Sequence, residues 1–455
     1  MKKSLFIGLI ILCLSNARGQ SLKFEDGDKV VMIGNSITHG GSFHIFLQSF
    51  YATRYPETRV DFINCGVSGD VAEGMIYRFE DDIMIHQPDY AFIMTGMNDV
   101  IRDLYALNNP DSAILTQREL ALMEYYKSTD SLASMLKENG VKPIFMTPTI
   151  YDQTAQLGTI NEIGVNDALA NCADHIRQLA KRHGAPLVDL YDLLMQVNIQ
   201  MQQADPTATI IGKDRVHPGQ EGHLLMAIEI IKTIAPPSQV CTVEIDAKKR
   251  TISSDSLTKT DWIRSEGPLT FELLERSLPM TIPLTLEETA KMLSFGRDWN
   301  TELLKIKKLK KGNYELKIDG IYMSNFTSKQ FKKGIDLAQI RNTPQSIQSQ
   351  DVWETALKIQ QLQGKLRVIK LVEYRHLRDY KGENTDAAKR SYLNAKNETQ
   401  KHRSWYPYLV RTVDQYFELL PQEDSILEEL AKARNALYTI NEPVVHSYSI
   451  KSIDL

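Results

Sequence analysis

Five short apolar runs punctuate the first half of the chain: Lys29-Val-Val-Met-Ile33, Val60-Asp-Phe-Ile-Asn64, Tyr90-Ala-Phe-Ile-Met-Thr95, Lys142-Pro-Ile-Phe-Met-Thr147 and Leu187-Val-Asp-Leu190. Runs this short and this apolar predict strands buried on both faces. The stretches between them, around 42–54, 71–86, 117–139 and 162–183, carry apolar residues at helical spacing. Strand and helix in alternation predict an α/β unit over residues 21–240, a parallel sheet sandwiched by helices. Such a sheet gathers its chemistry at the carboxyl ends of its strands.

The pattern changes after Ala235-Pro-Pro237. Val243-Glu-Ile245, Thr251-Ile252, Leu269-Thr-Phe271, Leu303-Leu-Lys-Ile306 and Tyr314-Glu-Leu-Lys-Ile318 alternate with period two, which predicts a small β-rich accessory unit over 241–340. Lys310-Lys-Gly-Asn313 reads as the connection of a hairpin between the last two runs. Lys305, Lys307, Lys308, Lys310 and Lys311 alternate with Ile306 and Leu309, as expected of a solvated strand face. From 341 to 455 the segments 350–376, 386–400, 406–420 and 424–438 return to helical spacing, with Pro421 as a break, and predict a helical C-terminal region.

The first twenty residues add an address. Lys2 and Lys3 precede an apolar run from Leu5 to Leu14, and small and polar residues follow to Gln20, the order of a signal peptide spanning residues 1–20. The run is too short to span a bilayer, so the sequence predicts an exported protein, periplasmic or extracellular, with no stable transmembrane segment. Leu12 before Cys13 is a poor match to a lipidation site and argues against lipoprotein anchoring. The formal net charge of −4 provides no basic field for nucleic acid. Beyond the leader only Cys65, Cys172 and Cys241 are left, too few for a disulfide framework and not spaced for zinc.

Four polar turns follow this scaffold. Ile33-Gly-Asn-Ser-Ile-Thr-His-Gly40 leaves the first strand, so that Gly34 and Asn35 turn the backbone and Ser36 opens the next helix. Lys213-Asp-Arg-Val-His-Pro-Gly219 holds Asp214 and His217 within one turn, where a carboxylate can orient an imidazole that accepts a proton from a serine hydroxyl. Asn64-Cys-Gly-Val-Ser-Gly-Asp70 and Thr95-Gly-Met-Asn-Asp99 follow the second and third strands and offer a glycine N–H and an asparagine side-chain amide to a developing oxyanion. Each string alone is also an ordinary cap or loop; together they occupy the chemical edge of one sheet.

With these blocks in order over residues 29–235, the sequence resembles the SGNH, or GDSL-type, hydrolases. The resemblance implies a flavodoxin-like sheet, a nucleophile at Ser36, charge-relay partners at Asp214 and His217, oxyanion donors at Gly69 and Asn98, and a supporting turn with Gly34, Asn35 and Asp99. Asn35 departs from the family's usual Asp, keeping its size and an acceptor oxygen without the charge. The phrases Gly312-Asn-Tyr-Glu-Leu-Lys-Ile-Asp-Gly320 and Gly334-Ile-Asp-Leu-Ala338 resemble an extension found in some bacterial members. The function expected is that of a secreted serine esterase acting through an acyl-enzyme, with an O-acetyl or other short acyl group on a carbohydrate as substrate. A lysophospholipase or lipase-type acyl hydrolase, and a catalytically silent carbohydrate-binding protein, are the alternatives. The expected partner is an acylated small molecule or polysaccharide. No cofactor and no metal are called for, and the sequence does not speak to the oligomeric state. Tyr151, Trp262, Trp353 and Trp405 are candidates for stacking on sugar rings, with core packing the competing role.

Overall fold

The structure is a computed structural model that describes residues 22–453 apart from 107–108, 237, 255–257, 263–267 and 404. The expected signal segment, residues 1–20, lies outside the described residues. Strands β1 (Lys29–Gly34), β2 (Asp61–Gly66), β3 (Tyr90–Met94), β4 (Lys142–Met146) and β5 (Leu187–Val188) form one parallel sheet in the order β2-β1-β3-β4-β5. Its seven helices are α1 (Ser36–Gly40), α2 (Ser42–Arg54), α3 (Ala72–Tyr77), α4 (Ser112–Glu138), α5 (Val165–His183), α6 (Leu190–Ala204) and α7 (Gln220–Ile234). The strands are apolar throughout because both faces are covered. Val30, Met32, Phe62, Phe92 and Met94 pack under residues of α2, α6 and α7. Val31, Ile33, Cys65, Ile93 and Phe145 pack under α3, α4 and α5. The strand order reverses beside β1, so the loops after β1, β2 and β3 meet at one edge, the switch point where open α/β sheets bind ligands.

The accessory unit comprises β6 (Cys241–Asp246), β7 (Thr251–Ser254), β8 (Thr258–Trp262), β9 (Leu269–Glu275), α8 (Glu287–Met292), α9 (Phe295–Trp299), β10 (Glu302–Lys307), β11 (Asn313–Ile318), β12 (Ile321–Thr327), α10 (Ser328–Lys333) and β13 (Ile335–Asp336). The expected hairpin between 303–306 and 314–318 does not form. β10 lies in a four-stranded sheet, β13-β10-β6-β7, whereas β11 lies in a five-stranded one, β12-β11-β14-β9-β8, with β14 spanning Val445–Ser452. The reason is a shared core: Leu304 and Ile306 from one sheet and Leu316 and Ile318 from the other are buried in the same cluster, so the strands face each other instead of pairing. Lys305 and Lys307 reach Glu244 on the neighbouring β6, as befits an outward strand face.

The C-terminal region begins with α11 (Pro344–Leu371), which runs into a π-helical turn over 372–376, and continues through α12 (Asp386–Glu398), α13 (Tyr406–Leu419) and α14 (Glu423–Ile440). Pro421 sits in a single 3-10 turn between α13 and α14. The chain then adds β14 (Val445–Ser452), an element that the helical reading of this region did not contain, between β11 and β9. Its alternation buries His446, Tyr448 and Ile450.

α11 and α14 also complete the first sheet. β2 is its edge strand, and side chains replace the strand that is missing there. Gln363 accepts from the Asn64 N–H at 2.7 Å and donates to the Phe62 carbonyl at 3.3 Å. Arg367 Nε donates to the Gly66 carbonyl at 2.9 Å, and the Tyr438 hydroxyl accepts from the Val60 N–H and donates to its carbonyl. Residues 60, 62, 64 and 66 thus find partners on the side away from β1, and an edge open to unwanted pairing is closed.

A second seam holds two buried acids. Glu275 ends β9 and Glu302 begins β10; Tyr448 and Gln345 donate to Glu275 at 3.1 and 2.8 Å. Burial pushes both carboxyls up, and the facing carboxylate of Glu275 raises Glu302 further, so the pair holds a proton in the fold. An acid with a raised folded pKa contributes stability that is complete below its unfolded value of about 4.5 and is lost as pH rises through the folded value. Glu302→Gln is therefore expected to flatten the alkaline fall of stability by up to one proton, about 1.4 kcal/mol per pH unit over the affected range. Denaturation midpoints of the two proteins from pH 5 to pH 9 check this; parallel curves would refute it.

Candidate active site

The geometry starts with glycine. At the end of β1 a Cβ on Gly34 would lie 2.1 Å from Thr38 Oγ1 and 3.2 Å from the Met94 carbonyl, so only glycine lets the turn fold back between β1 and β3. Asn35 follows, buried at 1% exposure, and its Oδ1 accepts from the Ile37 N–H at 3.1 Å to cap α1. An uncharged acceptor does this work in a buried position without the cost of desolvating a carboxylate. Ser36 is thereby set on the first turn of α1, part-exposed, with its hydroxyl directed out of the sheet edge.

Ser36 Oγ lies 2.7 Å from His217 Nε2, and His217 Nδ1 lies 2.5 Å from Asp214 Oδ2. With Nδ1–H committed to the carboxylate, Nε2 is the acceptor for the serine proton. The other carboxylate oxygen, Oδ1, accepts from the backbone N–H groups of Val216 and His217, each at 3.1 Å. Burial works to raise the Asp214 pKa; the hydrogen bond from His217, the imidazole's charge and the two backbone donors outweigh it and hold the carboxyl at about 2. The carboxylate therefore stays ionised across the physiological range.

Arg215, between the two, was not singled out from the sequence. It is 2% exposed and has a left-handed backbone (φ 64°). Its guanidinium donates to the carbonyls of Asp152, Ala155, Leu157, Thr159 and Ile160. It pins the loop that carries Asp214 and His217 to the loop after β4. Only its place inside the Asp-x-x-His string could have drawn attention to it.

The loops after β2 and β3 are tied to each other. Gly69 has φ +76°, in the left-handed region, and among the described residues nothing accepts from its N–H. The Asn98 amide donates one hydrogen to the Asp70 carbonyl at 3.0 Å and keeps a second for another acceptor. Asp99 accepts from the N–H of Ala72 at 2.7 Å and of Gly96 at 2.8 Å, one from each loop. Burial raises the Asp99 carboxyl to about 6 against the lowering effect of these donors. Val67 N–H, bonded to the Gly34 carbonyl at 3.0 Å, ties the Gly69 loop to the Ser36 turn. Ser36, Gly34, Asn35, Gly69, Asn98, Asp99, Asp214 and His217 thus sit on linked loops at one sheet edge.

Beneath the site lies a buried ion network that the sequence reading also missed. Arg78 binds Asp70 at 2.8 Å and Asp82 at 2.5 Å, and Arg367 from α11 grips Asp82 with both nitrogens at 2.7 and 2.8 Å. Arg367, Gln363 and Gln360 follow helical spacing on α11, a polar stripe on a buried face that was the available signal. Among the four aromatics considered, Tyr151 is buried at 2%, Trp353 packs on Phe46, and Trp405 is 44% exposed; the Trp262 side chain lies outside the described residues. Among the described residues no group of three or more His, Cys, Asp or Glu side chains is arranged to hold a metal ion, and no helix is long and apolar enough to cross a membrane. A cavity of about 310 Å³ lined by Met280, Phe295, Asn300 and Arg341 contains none of the candidate residues.

A flavodoxin-like sheet with Ser36, His217 and Asp214 in one hydrogen-bonded line at its switch point has the architecture of the SGNH fold. Residues 32–225 match the GDSL-like Lipase/Acylhydrolase family, so this part of the chain is a domain of the SGNH hydrolase type. It is an ester hydrolase. An acetylxylan esterase of Geobacillus stearothermophilus is 25% identical over 232 residues, 47% of this chain and 96% of that protein. The uncharacterized lipoprotein YqeF of Bacillus subtilis (strain 168) is 27% identical over 212 residues, 40% of this chain and 78% of that protein. The structure of a gut microbial diltiazem-metabolizing enzyme superposes with a TM-score of 0.85 at 26% identity, covering 95% of this chain and 100% of that one. That likeness includes the accessory and helical regions.

Proposed function

We propose that this protein is an exported serine esterase that removes an O-acetyl or other short acyl group from a carbohydrate. The observation that carries the mechanism is the continuous line Asp214–His217–Ser36, with contacts of 2.5 and 2.7 Å. His217 Nε2 takes the Ser36 proton as Oγ attacks the ester carbonyl, and the tetrahedral oxyanion receives the Gly69 N–H and the second hydrogen of the Asn98 amide. The bond to the alcohol then breaks, and His217 returns the proton to the departing oxygen. Water, deprotonated by the same imidazole, attacks the acyl-Ser36, and the acid leaves with Oγ reprotonated. Asp214, ionised throughout, holds the imidazole's orientation and balances its charge.

The carbohydrate reading draws support from the acetylxylan esterase relative and from Trp405, an exposed aromatic beside Arg403, which binds Asp103 in the loop following Asn98. Export rests on the charge and hydropathy order of residues 1–20. The domain boundaries proposed are 21–240, 241–340 and 341–455.

Hydrolysis by the purified protein of p-nitrophenyl esters of increasing chain length and of acetylated xylosides tests the reading. A preference for acetyl esters and acetate release from the sugar are expected; a preference for long chains would favour a lipase-type activity, and no turnover of any ester would refute the proposal. Asn98→Ala is expected to lower kcat by roughly 10²-fold with little change in KM, since the second amide hydrogen meets an oxyanion that exists only after attack. A loss confined to KM would assign Asn98 to substrate binding instead.

A further inference from the structure

The C-terminal region places an arginine against Gly69. A Cβ built on Gly69 would lie 2.9 Å from Cζ, Nε and Nη2 of Arg375 alike, so the plane of the guanidinium covers the open face of this glycine. Covalent geometry then puts the guanidinium within about 5–6 Å of the Gly69 nitrogen. The position is occupied by charge for a reason that packing does not supply. Arg78 is bound to Asp70 and Asp82, Arg367 to Asp82, Arg378 to Glu73 and Arg403 to Asp103. Arg375 alone of these five has no carboxylate or hydrogen-bond acceptor among the described residues, and it is exposed.

We infer that Arg375 is a substrate-binding residue that receives a carboxylate on the alcohol half of the ester, so that the preferred substrate is an acylated acidic sugar, a uronate. The inference rests on the proposed assignment of Ser36 as nucleophile and Gly69 as oxyanion donor. A short acyl group carries no charge, which leaves the alcohol half to supply the anion. A guanidinium offers two parallel N–H groups to a carboxylate, and the pair gains strength where water is partly excluded. Crowding around Arg375 lowers its pKa while leaving it charged; Asp70 and Tyr408 oppose that shift. Asp70 is already engaged by Arg78, so its charge does not neutralise Arg375. Tyr408, 37% exposed and near enough to act electrostatically on Arg375, adds an aromatic surface suited to the apolar face of a sugar.

The test compares two acetyl esters on one ring, an O-acetylated methyl glucuronoside and the corresponding O-acetylated methyl glucoside, which differ in a carboxylate. The wild-type protein is expected to prefer the uronate in kcat/KM. Arg375→Gln should reduce that preference by about tenfold or more, through KM. Arg375→Lys should restore part of it, and Arg378→Gln, which removes a paired arginine nearby, should leave the ratio alone. Isothermal calorimetry with methyl glucuronoside, which has no ester to cleave, provides a second readout: binding to the wild type and weaker binding to Arg375→Gln. Calorimetry reports on Arg375 even if no ester is turned over, which separates its failure from failure of the esterase reading. An unchanged ratio, an equal loss on both esters, or no binding of the uronide by the wild type would overturn the inference.

Discussion

Ser36→Ala is expected to reduce kcat by on the order of 10³-fold or more while the protein keeps its fold. The substitution removes one hydroxyl from a part-exposed position, so it leaves no significant void. The cap of α1 belongs to the Asn35 side chain, not to Ser36, and survives the change. His217 keeps its bond to Asp214, and the substrate keeps its oxyanion donors, so binding should change far less than turnover. Rates on p-nitrophenyl acetate and far-UV circular dichroism, measured on the same preparation, check both halves of the expectation. Wild-type turnover from the variant, with contaminating esterases excluded, would remove Ser36 as nucleophile.

Arg367→Ala should destabilise the protein by about 3–5 kcal/mol, the range for breaking one side of a buried ion pair. Its guanidinium satisfies both oxygens of Asp82 and the Gly66 carbonyl, all in buried surroundings. The Asp82 pKa is held well below its usual value by Arg367 and Arg78 against the opposing effect of burial, so removing Arg367 strips a buried carboxylate of its larger source of compensation. Arg78 would then face Asp70 and Asp82 alone. Because Gly66 begins the loop that leads to Gly69, activity is expected to fall along with stability. Urea denaturation of the wild type, Arg367→Ala and Arg367→Lys provides the scale, with the lysine variant intermediate because it keeps the charge and loses the bidentate grip. A change below about 1 kcal/mol would show that the network is not a source of stability.

The parts of this protein legible in the sequence are those whose physics is local. Short apolar runs at regular spacing led to β1 through β5 because a strand buried on both faces must be apolar at nearly every position. The placement of Gly34, Gly69, Asn98, Asp214 and His217 at one sheet edge was readable because each sits in a short string directly after a predicted element, or within one turn of its partner. The misread hairpin shows the limit. β10 and β11 have the alternation of paired strands, but alternation reports which face is buried and not which neighbour supplies the hydrogen bonds. β14 was missed for the same reason, since its partners β9 and β11 lie more than a hundred residues away. Gln363, Arg367 and Arg375 were invisible as functional groups: they act on residues 60–82 across some three hundred positions, and a helix written with glutamine and arginine looks solvated until the strand it caps is known.

The capped edge of β2 has a consequence for the order in which the chain can become itself. The first sheet uses backbone from residues 29–188, yet three positions on its outer strand and Val60 just before it find their partners in residues 363–438. During synthesis the early strands therefore emerge long before the side chains that close them, and contacts of this span are formed slowly. A nascent or truncated chain lacking those helices carries an open edge next to the nucleophile's own strand, a surface suited to association with another copy. Completion of the hydrolase sheet is in this sense a late event: helices made well over a hundred residues after its final strand are the ones that end the first sheet's capacity to pair with a stranger.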